Sequence, residues 1–325
     1  MGGMIIGTGH YVPEKVLTNA DLEKMVDTSH DWIVSRTGIE QRHVADPSQA
    51  TSDLCAEAGK QALKAAGLTA ADLDLIVVAT TTPDMFFPST ACIVQKKMGT
   101  RKIAAFDISA ACCGFLYGLS LTNQFVSTGE YKNVLLIGAE TLSKIVDWTD
   151  RGTCVLFGDG AGAIVLGQPL GNRGVLATHL WADGGLASLL DMPAGGSRIP
   201  TTHESIDQGL HHLKMEGTEV FKHAVRVMME GIGVVMKKAG ITNQDVSLFI
   251  PHQANLRIIQ AIADRLEFPA EKVFININRY GNTSAASIGI GLNEAVRSGR
   301  VKPGDIVVMS AFGAGMTMAA AAVRI

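Results

Sequence analysis

Short apolar runs recur along the chain, among them "LIVVAT" (75–80), "VLLIGAE" (134–140) and "DIVVMSAF" (305–312), and they alternate with helical stretches. A run that is apolar at successive positions predicts a strand buried on both faces, and hence sheets covered by helices on either side. The pattern is also written twice. "AAGLTAADLDLI" (65–76) matches "KAGITNQDVSLF" (238–249) at an offset of 173, each reading as a helix closed by a glycine, an acidic turn and a buried strand. "STGEYKNVLLI" from Ser127 resembles "RSGRVKPGDIVVM" from Arg297, with Gly129 over Gly299 at an offset of 170. Two copies of such length exclude a solenoid and predict two duplicated α/β halves, 1–170 and 171–325, divided near "GQPLGNRG".

Composition narrows the class. At 325 residues, 47% hydrophobic and 18% charged with a formal net charge of −3, the chain reads as an ordinary globular protein. The near-neutral balance, without a basic-aromatic stripe, argues against nucleic acid as a partner. No apolar run reaches the roughly 18 residues of a membrane helix, so no membrane span is expected. No signal-peptide pattern is read at the start. Five cysteines without framework spacing fit a reducing cytosol, and a cytoplasmic enzyme is the expectation.

The candidate chemistry starts from "DISAACCGF" (107–115), where two of the five cysteines are adjacent. Adjacent residues at a helix start point about 100° apart, so one of the two faces any cavity. A vicinal disulfide would strain a tight turn, and the doublet has no metal-ligand spacing. A cysteine at a strand-to-helix turn lies at a helix N-terminus, which favours thiolate. Adding 170 to Cys112 gives Asn282 in "YGNTSAAS", and adding 173 to Ala79 gives His252 in "IPHQANLR". Duplicated halves would bring these post-strand positions together, which favours a Cys-His-Asn site over two core thiols. "FGDGAGA" (157–163) lacks the lysine of a phosphate loop and reads as a tight turn supporting the core. Cys55, Cys92 and Cys154 are expected in cores.

From "GTGHYVPEKVLTN" through "DTSHDWIVSRTGI", "DISAACCGF", "DRGTCVLFGDGAGA", "PHQANLRI" and "GNTSAAS" to "AFGAGMTM", the chain resembles the β-ketoacyl-acyl-carrier-protein synthase III family of the thiolase superfamily. The resemblance implies a five-layered αβαβα thiolase-like fold from the duplicated halves, in a homodimer. It also implies an acyltransferase that condenses a short acyl-CoA, typically acetyl-CoA, with malonyl-acyl carrier protein and initiates fatty-acid synthesis. Cys112 would be the nucleophile and Cys113 a small buried neighbour. His252 and Asn282 would donate to the malonyl thioester oxygen, and an asparagine at 282 favours the initiating class. The oxyanion hole would be the N–H groups of Cys112 and Ala314; relatives often carry glycine at the latter position, so an alanine would be strained if a positive φ were needed.

The same resemblance places CoA on Thr28, Trp32, Arg36, Arg151, Asn255 and Arg257, and carrier-protein docking on Lys222, Arg257 and Arg265. Phe87, reaching across a dimer, would wall the acyl pocket together with Leu142 and Phe157. No cofactor or metal is implied, since the CoA thioester is a substrate. Another thiolase-superfamily reaction with a different primer or extender, a Cys-His-Asn hydrolase and a non-catalytic carrier-protein binder remain as alternatives.

Overall fold

The computed structural model describes residues 2–325. The first half runs β1 (Met4–Tyr11), α1 (His30–Thr37), α2 (Thr51–Ala66), β2 (Leu75–Ala79), α3 (Thr90–Met98), β3 (Ala104–Ile108), α4 (Gly114–Ser127), β4 (Val134–Glu140) and β5 (Gly160–Gly167). The second half runs β6 (Gly174–Ala182), α5 (Gly217–Ala239), β7 (Val246–Pro251), α6 (Leu256–Arg265), α7 (Ala286–Arg297), β8 (Ile306–Gly313) and β9 (Thr317–Arg324).

The strands form a five-stranded sheet in the order β1-β5-β4-β2-β3 and a four-stranded sheet in the order β6-β9-β8-β7. The orders correspond, and a parallel bridge from Phe249 to Val273 stands where the second sheet would take a fifth strand. Register corresponds too. Leu75 faces Val134 across β2 and β4, and Leu248 faces Val307 across β7 and β8, both members being 173 residues on. Residues 168–173 link β5 to β6, and we propose the division into 1–170 and 171–325 there.

Alternation along the apolar strands sorts side chains between layers. In β2, Leu75 and Val77 enter the core between the sheets, whereas Ile76 and Val78 enter the core beneath α2 and α3. Helices α4 and α7 fill the space between the sheets, and α5 with α6 covers the outside of the second sheet. The result is the five-layered αβαβα architecture. A smaller apolar cluster of Leu22, Ile33, Ile39, Leu142 and Phe157 attaches α1 at one end of the layers.

The glycine-rich stretch 157–163 departs from the tight turn expected of it, because Gly160 already opens β5. Its reason is a close crossing. A Cβ on Gly162 would fall 2.5 Å from the backbone of Gly289, so the pair of glycines lets α7 lie directly on the strand.

Candidate active site

Cys112 sits in a single 3-10 turn, Ala111–Cys113, between β3 and α4. The turn is sharp enough to hold Ala111 at a φ of 45°, a left-handed conformation rare for alanine. Its partner in the second half is Ser284, with a φ of 47°, which lies 173 residues on. The cysteine's counterpart is therefore Ala285, which corrects the pairing of Cys112 with Asn282. Helix α4 has 14 residues and α7 has 12, so an offset taken from the helix ends fails at their starts. Asn282 precedes the second turn and reaches the same place by a different route.

The two cysteines of the doublet diverge. Cys113 is fully buried against Phe115 and Leu116 in the core between the sheets, while Cys112 lines two cavities. Cys55 and Cys154 are buried, but Cys92 is exposed. Ala91 and Val94 take the inner face of α3, which leaves Cys92 on the outer one.

Burial pushes the Cys112 thiol up to about 12; a hydrogen bond with Ser284 opposes this and the charge of Glu140 adds to it. Desolvation therefore opposes the thiolate that the helix N-terminus favours. His252 directly follows β7, and its N–H donates to the Ser310 carbonyl at 2.8 Å. Its Nδ1 lies 2.7 Å from the Ser287 hydroxyl, whereas its Nε2 is buried without a partner. Desolvation holds this imidazole down to about 3, so it is neutral. Asn282 accepts the Ser284 N–H on Oδ1 at 2.8 Å, which leaves its amide N–H groups as donors.

One cavity, of about 80 Å³, brings together Cys112, His252, Asn282, Asn255, Phe221 and Phe312. The other, of about 140 Å³, is walled by Cys112, Thr81, Leu142, Phe157, Leu190, Met192, Leu213 and Ala314. Cys112, Phe157 and Leu190 belong to both. An open depression of about 610 Å³ around Lys15, Met25 and Trp148 contains none of the residues singled out in the sequence.

The end of β8 closes on the turn. A Cβ on Gly313 would lie 2.8 Å from the Cys112 backbone nitrogen, so only glycine fits there without displacing Cys112. The positive φ of this loop, 129°, falls on Gly315, and Ala314 is not among the residues with positive φ. An alanine at 314 is therefore unstrained.

On the outer side, the guanidinium groups of Arg36 and Arg151 lie over the Trp32 ring at 5.4 Å and 4.9 Å from its centroid. Arg151 also donates to the Asp27 carbonyl at 2.8 Å, and the Thr28 hydroxyl nearby is buried and unpartnered. Asn255 caps α6 by accepting the Arg257 N–H at 2.9 Å and ties this helix to α1 through the Arg36 carbonyl at 3.1 Å. Lys222, Arg257 and Arg265 are exposed on the paired helices α5 and α6, with Lys222 held to Glu219 at 2.6 Å. Phe87 is not brought to the cavity of its own chain: Phe86 and Phe87 stand 83% and 85% exposed.

Comparison with known proteins decides the family. The family described as 3-oxoacyl-[acyl-carrier-protein] synthase III matches residues 106–184, and its C-terminal counterpart matches residues 236–325. The β-ketoacyl-[acyl-carrier-protein] synthase III of Caldanaerobacter subterraneus subsp. tengcongensis is 58% identical, over 98% of this chain and 97% of that one. The chain belongs to the 3-oxoacyl-[acyl-carrier-protein] synthase III family. Membership makes it a condensing enzyme, an acyltransferase of fatty-acid biosynthesis with the thiolase-like fold. The crystal structure of the synthase III from Aquifex aeolicus superposes with a TM-score of 0.93 at 49% identity, each chain covered completely. The priming β-ketosynthase of the R1128 polyketide pathway gives 0.92 at 34% identity, over 99% of this chain and 95% of that one.

Several residues of the site escape sequence reasoning. Phe221 and Met215 reach the first cavity from the start of α5 and the loop before it, Met192 and Leu213 reach the second from the irregular segment before α5, and Leu190 of that segment reaches both. No periodicity marks such a segment. Ser284 and Ser287 lie within a quoted motif, but only the fold shows which groups they bond.

Proposed function

We propose that this enzyme condenses a short acyl-CoA, with acetyl-CoA as primer, with malonyl-acyl carrier protein to give 3-oxoacyl-acyl carrier protein, through an acyl-Cys112 intermediate. The observation that carries this reading is the position of Cys112 as a shared wall of two unlike cavities. One is apolar and holds an acyl chain between Leu142 and Phe157. The other offers His252 and Asn282 to the group that arrives second.

In the first step the Cys112 sulfur attacks the thioester carbonyl and CoA leaves, the oxyanion taking the N–H groups of Cys112 and Ala314. In the second, His252 and Asn282 donate to the malonyl thioester oxygen while carbon dioxide departs. Charge that develops only then is stabilised only then, which is what lowers a barrier. The resulting carbanion attacks the acyl-cysteine and expels the Cys112 thiolate. No step requires a resident cofactor.

Trp32, with Arg36 and Arg151 over its ring, fits an adenine platform beside phosphate-binding cations, and Thr28, Asn255 and Arg257 continue this surface toward the cavity. Lys222, Arg257 and Arg265 would meet the acidic carrier protein. Phe87, unpartnered on its own chain, would wall the pocket of a second copy in a homodimer. Among the described residues no helix is long and apolar enough to cross a membrane, and we place the enzyme in the cytoplasm.

Intact-protein mass spectrometry after incubation with acetyl-CoA tests the reading. One acetyl adduct is expected on the wild type and on Cys113→Ala, none on Cys112→Ala, and malonyl-carrier protein should discharge it as acetoacetyl-carrier protein. Loading by longer acyl-CoAs alone would overturn the acetyl assignment. An adduct that survives Cys112→Ala would overturn the nucleophile.

A further inference from the structure

Asn282 donates in the proposed second step, yet it lies in none of the helices or main strands. Its backbone is carried by a neighbouring segment, residues 155–158. The Asn282 N–H donates to the Leu156 carbonyl at 2.8 Å, and its carbonyl accepts from the Gly158 N–H at 3.0 Å. Asn282 and Phe157 thus pair as an isolated parallel bridge. Leu156, Phe157 and Asn282 all line the first cavity, so a shift of this segment moves the asparagine with it.

A buried cation holds that segment. Arg42 lies in a short ribbon, Gln41–His43 against Val16–Thr18, and is completely out of solvent. Its Nη2 donates to the Val155 carbonyl at 2.7 Å, while its Nη1 donates to the Leu17 carbonyl at 3.2 Å and to Oδ1 of Asn19 at 3.0 Å. Asn19 is fixed in turn, its amide donating to the Ile39 carbonyl at 2.8 Å. The stem of Arg42 packs against the same bridge. A Cβ on Gly158 would fall 3.0 Å from the Arg42 Cβ, and one on Gly281 would fall 3.4 Å from it. These two glycines adjoin Phe157 and Asn282. No carboxylate pairs with Arg42 among the described residues, and its Nε has no partner. Burial lowers its pKa only to about 10, so it stays charged at neutral pH. A buried charge met by neutral oxygens alone is costly, and an apolar side chain of like size would fill the space at less cost. What arginine adds is a rigid planar fork that joins the start of the chain to the wall of the site.

We propose that Arg42 is a positioning residue for the condensation: it fixes the segment 155–158 and, through it, the Asn282 amide that meets the malonyl thioester oxygen. Arg42 touches no reacting atom. In the proposed mechanism loading of Cys112 does not draw on Asn282, so the effect of Arg42 falls on the second half-reaction. A group misplaced by about 1 Å can cost on the order of a hundredfold in rate, which is why a distant anchor matters. The inference rests on the proposed roles of Cys112 and Asn282.

The test is single-turnover mass spectrometry of the two half-reactions in wild type, Arg42→Lys, Asn282→Ala and the double variant. Lysine keeps the charge, but its single nitrogen cannot span the Val155 carbonyl and the oxygens of Leu17 and Asn19. Arg42→Lys is expected to slow discharge of acetyl-Cys112 by malonyl-carrier protein by about tenfold or more, while loading from acetyl-CoA stays within about threefold. In the Asn282→Ala background the same change should slow discharge by less than about twofold, because the group it positions is gone. Arg42→Gln, which removes the buried charge, is read in the same way where Arg42→Lys does not fold. Equal losses in both half-reactions, or a loss repeated in full in the Asn282→Ala background, overturn the inference and leave Arg42 a support of the fold. If Asn282→Ala is slow in discharge and the Arg42 variants are not, this inference alone falls. If Asn282→Ala discharges like the wild type, or acetyl does not load on Cys112, the underlying reading falls with it.

Discussion

The Nδ1 of His252 and the hydroxyl of Ser287 are 2.7 Å apart, so the tautomer of the histidine after β7 is set by the first turn of α7. Ser287→Ala removes that control and leaves a buried ring nitrogen unsatisfied, a loss of about 1–3 kcal/mol. Discharge of acetyl-Cys112 by malonyl-carrier protein should slow by on the order of tenfold. Loading from acetyl-CoA should change far less, because in the proposed mechanism it draws on Cys112 and the oxyanion N–H groups. Single-turnover mass spectrometry of the two half-reactions separates these outcomes, and equal losses in both would show that Ser287 is merely structural.

Stability should respond to acid through the same histidine. In the unfolded chain His252 titrates near the ordinary value of 6.5, whereas in the folded protein burial holds it down to about 3. Above 6.5 neither state binds the proton and the residue has no effect on the equilibrium. Between 6.5 and 3 the unfolded state binds a proton that the folded state cannot, so stability falls as the pH is lowered through this window. His252→Asn removes the term. Melting temperatures measured from pH 7 to about 4 should fall less steeply in the variant than in the wild type. Parallel curves would count against a neutral buried His252.

Much of this arrangement is legible in the sequence because duplication is recorded as spacing. The offset of 173 taken from residues 65–76 reappears unchanged in the strand register, where Leu75 with Val134 becomes Leu248 with Val307. Helix lengths are less constrained than strand register, since a helix can grow at an exposed end without disturbing the sheet. The offset of 170 drawn from Gly129 and Gly299 therefore misplaced the counterpart of Cys112. Glu140 was hidden for another reason. It closes an apolar strand, and its partners at 80–82 lie some sixty residues earlier, across a β2–β4 pairing that no local pattern shows. Cys92 illustrates the converse: its exposure depends on which face of α3 meets the sheet, and composition does not record that.

The contact of β8 with the cysteine turn gives an asymmetric pair of substitutions. In Gly313→Ala the new methyl group would lie 2.8 Å from the Cys112 nitrogen and 3.1 Å from its Cβ, and the turn must shift. Overpacking of this kind costs about 1–3 kcal/mol, and displacement of the nucleophile adds to it in the rate. Acetyl loading should fall by at least about a hundredfold while the protein still folds. Ala314→Gly, one residue on, relieves no strain, because Ala314 is not held at positive φ. Its loading rate should stay within about threefold of wild type, allowing for the greater freedom of glycine. A large gain in Ala314→Gly would mean that alanine distorts the oxyanion hole after all.

The cluster over Trp32 should separate CoA binding from chemistry. Arg151 is held by the Asp27 carbonyl at 2.8 Å and lies 4.9 Å from the Trp32 centroid, so its guanidinium is fixed before any ligand arrives. On the proposed reading such a group would bind the nucleotide end of CoA equally in ground and transition states, and its removal should raise KM without lowering kcat. A cation–π contact and one phosphate contact together are worth about 1–3 kcal/mol, so Arg151→Ala should raise KM for acetyl-CoA by roughly tenfold or more. Acetyl groups delivered on a short pantetheine thioester never reach Trp32, and with that substrate wild type and variant should load Cys112 at the same rate. A variant equally impaired with both thioesters would move Arg151 from CoA recognition to support of the neighbouring turn, where Asp150 caps the helix that begins at Arg151.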